Sequence, residues 1–186
     1  MSSLNTSLSS PRRESAAPRG SVRSRLQDLA DRVRWTRESG VARDGALLSA
    51  RTGLAWIFVY HGAVTLFGAF GGGGIHAQAQ YFASVAHLEP ATFFAVVGGI
   101  IEFFGGIAVG VGFFGRLAAL GLVGDMAMAM ATVTFRDGIV SSAAGSGYEI
   151  NVALATLALV VVFLGTGRYS LDYLARRLFA QRRART

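Results

Sequence analysis

Two acidic residues lie near the middle of apolar stretches that are long enough to cross a bilayer. Glu102 lies in AVVGGIIEFFGGIAVG, and Asp125 lies in LAALGLVGDMAMAMA. An ionised carboxylate at the centre of a bilayer costs ~3 kcal/mol on insertion scales, so such residues usually face the protein interior and serve a function. Carboxylates placed there can relay protons or hold a polar headgroup. We therefore take both acids as candidate catalytic residues.

Two further polar residues belong to the same set of candidates. His61 lies in the first apolar stretch, ~3 Å outward of its middle, and Arg51 lies ~15 Å nearer the cytoplasm on that stretch. In one interpretation His61 is a base or hydrogen-bond donor and Arg51 a counter-charge for the two acids. In the other, these residues form a structural polar network that joins the helices, or Arg51 extends to the cytoplasmic interface.

Small residues near the acids indicate which way the carboxylates point. Glu102 lies on a stripe of glycines that recur at every fourth residue, and Asp125 shares a helical face with Gly121. The glycines of the stripe are Gly98, Gly106 and Gly110. Because small residues mark the places where membrane helices approach each other, both acids are predicted to face helix contacts rather than lipid.

Four apolar segments must position these side chains, and they predict an all-α polytopic membrane protein with a four-transmembrane-helix bundle over residues 45–167. The predicted helices cover about residues 46–69, 91–114, 117–134 and 150–165. Crossing ~30 Å of hydrocarbon takes ~20 helical residues, so the first two segments are long enough and the last two are short but sufficient. The sequence GFFGR at residues 112–116 predicts a tight turn, which makes the second and third helices antiparallel neighbours.

Basic segments flank the predicted bundle. Residues 1–20 are rich in Ser, Pro and Arg and predict a disordered tail. Residues 21–44 predict a basic amphipathic helix, which either lies on an anionic membrane surface or is a solvated, partner-docking helix. Residues 168–186 predict a juxtamembrane tail that meets lipid headgroups and contains a short helix with Ser170 as its N-cap.

The distribution of arginine predicts the orientation in the membrane. Of the 18 basic residues, all of them arginine, only Arg136 falls on the outer side of the predicted bundle. Positive residues concentrate on the cytoplasmic side of membrane proteins. The pattern therefore predicts a multi-pass protein of the bacterial cytoplasmic membrane with both termini in the cytoplasm.

The composition argues against several classes of site. The sequence has no cysteine, which excludes disulfides, Fe–S clusters, thiolate–metal sites and c-type haem attachment. The three histidines show no metal-ligand spacing, so neither a metal site nor haem with two axial histidines is predicted. No arginine patch is interleaved with exposed aromatic residues, so nucleic acid is not an expected partner.

The ordered series HGAVTLFGAFGGGG, AQYFAS, GIIEFFGGIAVGVGFFGRLAA, GYEI and GRYSLD resembles the DoxX family of bacterial four-helix integral membrane proteins. The resemblance covers about residues 46–174. It implies a four-helix bundle and a quinone as a possible cofactor. It also implies association with a redox enzyme, as a small subunit of a thiosulfate:quinone or quinol-oxidising system or as a membrane anchor in an oxidative-stress complex. Residues that match the family pattern are Arg51, His61, Gly62, Glu102, Gly106, Arg116 and Glu149.

Two departures from the family pattern bear on function. Members often have a histidine near the end of the third helix, where this chain reads ATVTFRDG, and this weakens any transfer of redox chemistry. The N-terminal extension of roughly 40 residues is longer than the family core requires, which suggests added binding to membrane or partner.

Three functions remain open from the sequence. The first is a quinone-interacting subunit of an oxidoreductase, in which Glu102, with Asp125 or His61, takes up protons and a soluble or membrane partner delivers electrons. The second is a non-catalytic anchor or assembly protein. The third is a small transporter or channel, which would form a homo-oligomer. Whether the chain is itself catalytic is left open.

Overall fold

The structure, a computed structural model, describes residues 22–140 and 147–183. Within these two ranges every regular element is a helix and no strand occurs, which confirms the predicted all-α class. The α-helices are α1 (Val22–Phe67), α2 (Gly74–Tyr81), α3 (Ala91–Val111), α4 (Gly115–Thr132), α5 (Glu149–Leu164) and α6 (Leu171–Arg183). The short elements are the 3₁₀ turns Ala69–Gly71 and Thr134–Asp137 and the π-helical turn Phe82–Ala86.

The chain divides into two compact units, Met1–Ser39 and Gly40–Thr186. The predicted disordered tail, residues 1–20, lies outside the described residues. The sequence predicts one helix over residues 21–44 and another from about residue 46, whereas the structure has the single helix α1. No proline falls between residues 22 and 67, so nothing removes a backbone donor or forces the helix to end there.

The four predicted segments correspond to α1, α3, α4 and α5, and α3, α4 and α5 begin and end within three residues of the predicted limits. Among the described helices, α3 by itself is long and apolar enough to cross a membrane. Gly40–Phe67 meets the same criterion only together with Ala69–Ala86, to which it is bent by 90°, and α5 is a shorter apolar helix.

A tight turn joins α3 to α4, as the GFFGR sequence predicts. Gly112 ends α3 with a left-handed φ of 70°, a conformation that glycine adopts without steric cost. The turn makes α3 and α4 neighbours, and both also pack around the buried core. That core contains Leu54 and Phe58 from α1, Val109 from α3, Leu122 from α4 and Val161 from α5.

Close approach of α1 and α3 depends on two glycines. A Cβ atom at Gly62 would overlap the backbone of Phe103, and one at Gly106 would lie 3.0 Å from the Cβ of Phe58. The contact fits the prediction that small residues of the second apolar segment mark a helix contact. Because α1 and α3 fit together at these glycines, the rotation of α3 about its own axis is fixed. This rotation determines the direction in which the Glu102 side chain points.

The segment between α1 and α3, for which the sequence predicts no helix, contains α2 and the π-helical turn. α2 packs against α3. Together the two short elements cover one end of the α3–α4 pair, and they contribute Gln78, Tyr81 and Phe82 to the cavity described below.

Candidate functional site

A cavity of about 440 Å³ lies between α2, the π-helical turn, α3 and α4. Its wall is mostly apolar, with Val97 and Ile101 from α3 and Met126 from α4. Both carboxylates singled out from the sequence, Glu102 and Asp125, are part of this wall. The structure therefore brings the two acids into one site.

The two acids have neighbours on α1 and α3 that fix their positions. Glu102 is within hydrogen-bonding reach of Thr65, a buried residue of α1, and interacts electrostatically with Asp125. A Cβ atom at Gly98, one helical turn before Glu102, would lie 3.7 Å from the Asp125 Oδ1 atom. A methyl group at Gly98 would therefore be in ordinary van der Waals contact with the Asp125 carboxylate, so the two residues are direct neighbours across α3 and α4.

Two threonines line the same cavity near the end of α4. The Thr132 hydroxyl donates a 2.8 Å hydrogen bond to the carbonyl oxygen of Met128. Thr134, in the following 3₁₀ turn, is 8% exposed, and its hydroxyl is buried without a hydrogen-bond partner among the described atoms. Buried hydroxyls are nearly always paired, so an unpaired one is unusual in a folded chain.

His61 is not part of the cavity. It is exposed on α1, and its ring makes an edge contact with the ring of Tyr60 at a centroid distance of 5.7 Å. The side chain of His61 is therefore not directed into the cavity that Glu102 and Asp125 line.

Arg51 is also separate from the cavity and instead forms a buried clamp. Its side chain is 1% exposed. The guanidinium donates to the Val109 and Gly110 carbonyls at the end of α3, at 2.8 and 2.5 Å. It also donates to the Thr166 and Tyr169 carbonyls of the α5–α6 connection, at 2.6 and 2.9 Å. We call these four hydrogen bonds the arginine clamp; it joins α1 to the carbonyl end of α3 and to the start of the C-terminal segment.

Two aspartates make further hydrogen bonds near the arginine clamp. Asp44 of α1 is 8% exposed and accepts a 3.1 Å hydrogen bond from the Arg168 backbone N–H. Asp172 accepts hydrogen bonds of 2.9 and 3.1 Å from the Phe114 and Gly115 N–H groups, which begin α4. Carboxylates are favourable at a helix N-terminus because the free N–H groups there carry partial positive charge.

The remaining candidate residues lie outside the cavity, where they contact the ends of helices. Arg116 donates a 3.3 Å hydrogen bond to the Phe163 carbonyl and lies against Gly165. Glu149 opens α5 and is exposed. The predicted N-cap, Ser170, accepts a 3.2 Å hydrogen bond from the Tyr173 N–H and so caps the first turn of α6. None of these three lines the cavity that contains the acids.

Five polar residues in or beside the cavity were not singled out from the sequence as site residues: Thr65, Gln78, Tyr81, Thr132 and Thr134. Thr65 and Thr134 are single threonines in or beside apolar segments, and Gln78 lies in a segment for which the sequence predicts no helix. The sequence contained one indication for Thr65. It follows the candidate residue His61 by four residues and therefore lies on the same face of that helix. No sequence pattern distinguishes Thr134 from Thr132.

An apolar helical unit with two acids inside a shared cavity is typical of an integral membrane protein. The DoxX family model matches residues 46–135, just under half of the chain, which confirms the resemblance to this family over that range. DoxX is a family of membrane proteins, and the matched residues include both acids and the Thr134 hydroxyl. Neither the comparison with curated proteins nor that with solved structures gives a match to this chain.

Proposed function

We propose that the chain is a multi-pass membrane protein in which α1 from Gly40 onward, α3, α4 and α5 cross the bilayer. Large apolar side chains cover the outside of these helices: Trp56 is 80% exposed, Phe163 73% and Leu117 67%. Such a surface suits lipid better than water. The arginine distribution supports cytoplasmic termini, with α2 on the opposite side.

The C-terminal helix α6 fits this arrangement as a surface helix. Leu174, Leu178 and Phe179 are 51%, 51% and 66% exposed. The exposed arginines of the same helix are Arg176, Arg177, Arg182 and Arg183. Exposed apolar side chains beside arginines favour binding to an anionic lipid surface.

Within the membrane, the proposed function is that of a quinone-binding subunit of an oxidoreductase. The observation that carries this proposal is the apolar cavity with two acids in its wall. Its volume of about 440 Å³ lies within the ~300–1,000 Å³ that is usual for small-molecule pockets. Apolar walls suit a ring, and the two acids suit its oxygen atoms, so the residues present fit such a group.

The roles of the residues follow from their chemistry. A quinone, when bound, accepts two electrons and two protons. Glu102 and Asp125 can each hold one proton; a protonated carboxyl donates a hydrogen bond to a carbonyl oxygen, and an ionised one accepts from a hydroxyl. Thr65 lies within hydrogen-bonding reach of the Glu102 carboxyl and can hold it in place. Without cysteine in the chain, Fe–S clusters are excluded, and we propose that a separate redox enzyme delivers the electrons.

The first test is the quinone content of protein purified with its native lipid, measured by extraction and mass spectrometry. We expect about one quinone per chain in the wild type and a loss of at least ~10-fold in Glu102→Gln, because the variant retains the shape but cannot exchange a proton. The matched control is Glu89→Gln. Glu89 is exposed outside the cavity, and Gln can still accept the N–H of Ala91, to which the Glu89 carboxylate is bonded.

The outcomes separate the three functions that the sequence leaves open. Quinone present in wild type and Glu89→Gln but lost in Glu102→Gln supports the quinone-binding subunit. Absence of quinone from all three proteins contradicts it and favours an anchor or a transporter. Of these two, the transporter predicts that Glu102→Gln abolishes solute flux in vesicles, whereas the anchor predicts that partner binding persists in that variant.

A further inference from the structure

The cavity that contains Glu102 and Asp125 extends from the acids toward one end of the α3–α4 pair. The wall that α3 contributes lies within residues 94–102, and the wall that α4 contributes lies within residues 121–132. The start of α3 and the end of α4 meet at this end, because the tight turn joins the opposite ends of the two helices. Distance along the helix does not explain the direction, since Glu102 lies ~16 Å from the first residue of α3 and ~14 Å from the last. The direction of the cavity is therefore a property of how the helices pack.

The part of the cavity beyond the acids has polar side chains in its wall. Gln78 and Tyr81 belong to α2, and Thr132 is the last residue of α4. Gln78 is half-buried and Tyr81 is 42% exposed, so this part of the wall lies at the surface of the protein. The amide, the phenol and the hydroxyl can each hydrogen-bond water, and a cavity with several such partners can hold water. Both acids are half-buried in the same cavity, so water there can reach their carboxyl groups.

The opposite part of the α3–α4 pair offers no comparable route among the described residues. A surface groove between the two helices continues from Ile101 and Gly121, which it shares with the cavity, to Phe113 and Phe114 in the tight turn. Every described residue of its wall is apolar. The buried core on the inner side of the pair is apolar as well. Apolar surroundings of this kind suit lipid chains and exclude water, so a proton has no hydrogen-bonded path through them.

We propose that the two acids exchange protons with the aqueous phase on the side of the membrane where α2 lies. The protons travel through water that Gln78, Tyr81 and Thr132 hold in the cavity. In each exchange a carboxyl O–H bond breaks and a water molecule of the cavity accepts the proton, and the reverse step returns it. Within the described wall the titratable residues are the two acids and Tyr81, and no basic residue lies among them. The inference rests on the proposed function for the use of these protons, and it adds the side of the membrane to which they go.

The chain contains no cysteine, so single-cysteine variants can report access to water at chosen positions. Ala129→Cys places a thiol in the cavity wall, and Ala118→Cys places one in the apolar groove. The two positions are about three full turns apart on α4 and so lie on the same face of the helix. Exposed markers for the two sides of the membrane are Ala77→Cys on α2 and Ala180→Cys on α6.

The reagent is a membrane-impermeant thiosulfonate with a trimethylammonium group. It is applied to spheroplasts, which expose the outer face, and to inverted vesicles, which expose the cytoplasmic face. The labelled fraction is normalised to the thiol that reacts after denaturation.

We expect Ala129→Cys to react from the same face as Ala77→Cys. From the face at which Ala180→Cys reacts, it should react at least ~10-fold more slowly, because a charged reagent does not cross the hydrocarbon. From either face, Ala118→Cys should react at least ~10-fold more slowly than Ala129→Cys does from its reactive face, because a thiol in apolar surroundings ionises less readily.

A second measurement follows the route to Glu102 itself. A hydrophilic carbodiimide, which modifies protonated carboxyl groups, is applied to each face, and the modified fraction of Glu102 is measured by peptide mass spectrometry. We expect modification from the face on which α2 lies, and modification about 5-fold slower in Gln78→Leu, the effect of one lost hydrogen bond to water. The matched control is Gln80→Leu, which should keep the wild-type rate. Gln80 lies on the same helix, is exposed outside the cavity wall and is bonded to the His76 ring.

Several results would overturn the proposal. Reaction of Ala129→Cys from the face of Ala180→Cys would place the route on the other side. Failure of Ala129→Cys to react from either face, with both markers reactive, would show that the cavity holds no water. Equal rates for Ala118→Cys and Ala129→Cys would show that water also fills the groove, and an unchanged rate in Gln78→Leu would overturn the role of Gln78. The expected labelling together with absence of quinone from the purified protein would contradict the proposed function and leave the route in place.

Discussion

Replacing Arg51 by lysine should destabilise the protein without affecting the cavity. The substitution retains the positive charge but exchanges a planar guanidinium with five donors for a single ammonium group. In the structure the guanidinium reaches carbonyls on two different segments, the end of α3 and the α5–α6 connection. One ammonium nitrogen cannot occupy the positions of three guanidinium nitrogens.

The magnitude follows from the number of hydrogen bonds that lysine cannot replace. We expect an ammonium group at this position to satisfy two of the four carbonyls of the arginine clamp. Two lost hydrogen bonds from a charged donor, at ~1.5 kcal/mol each, give a loss of about 3 kcal/mol in the free energy of unfolding. For a chain of this length, that loss lowers the melting temperature by about 6–12 °C.

The assay is thermal unfolding of purified protein in detergent, followed by circular dichroism at the helical bands. The matched control is Arg43→Lys. Arg43 lies on the same helix and donates a 2.8 Å hydrogen bond to the Leu164 carbonyl, but its side chain is exposed. An exposed substitution of this kind should change the free energy of unfolding by no more than ~0.5 kcal/mol.

Two results would refute this reasoning. Equal melting temperatures for Arg51→Lys and Arg43→Lys would show that burial and the four-carbonyl geometry contribute nothing. A large loss of quinone affinity in folded Arg51→Lys, with little change in stability, would place Arg51 in the binding site as a counter-charge. We expect the affinity to stay within about 2-fold, because Arg51 does not line the cavity.

Two further substitutions test the packing that holds the site in place. Gly62→Ala should lower the free energy of unfolding by about 1–3 kcal/mol because its Cβ overlaps the Phe103 backbone. Gly53→Ala, on the same helix with nothing within 4 Å of the added Cβ, should stabilise by ~0.5–1 kcal/mol; equal melting temperatures for the two variants would contradict the assigned contact. Asp172→Ala should cost about 1 kcal/mol by removing the acceptor for the first N–H groups of α4, and Asp172→Asn should cost less because one oxygen acceptor remains. Identical melting curves for Asp172→Ala and wild type would remove this cap.

Much of the helical architecture could be predicted from the sequence. The length of an apolar segment and the residues of a turn are both local properties, which can be read without knowing the tertiary structure. The segment around Glu102 predicts a helix over residues 91–114, and the structure has α3 at Ala91–Val111. The difference at its end comes from Gly112, whose left-handed conformation stops the helix. The short helix α2 was not predicted, because its eight residues, half of them Ala and Gln, have no apolar periodicity and are helical through packing on α3.

The sequence by itself determined the class of the fold and the position of the polar residues along their helices. Position along a helix follows from a constant rise per residue, so counting residues is enough to predict that Glu102, Asp125 and His61 lie at a similar level. Which of them meet was decided only by the tertiary structure, because it depends on how each helix is rotated against its neighbours. Contacts at Gly62 and Gly106 orient α3 so that Glu102 faces Asp125, while His61 points outward and Arg51 binds distant carbonyls. The unpaired Thr134 hydroxyl likewise arises from where α4 ends and what buries it, which are properties of the packed chain.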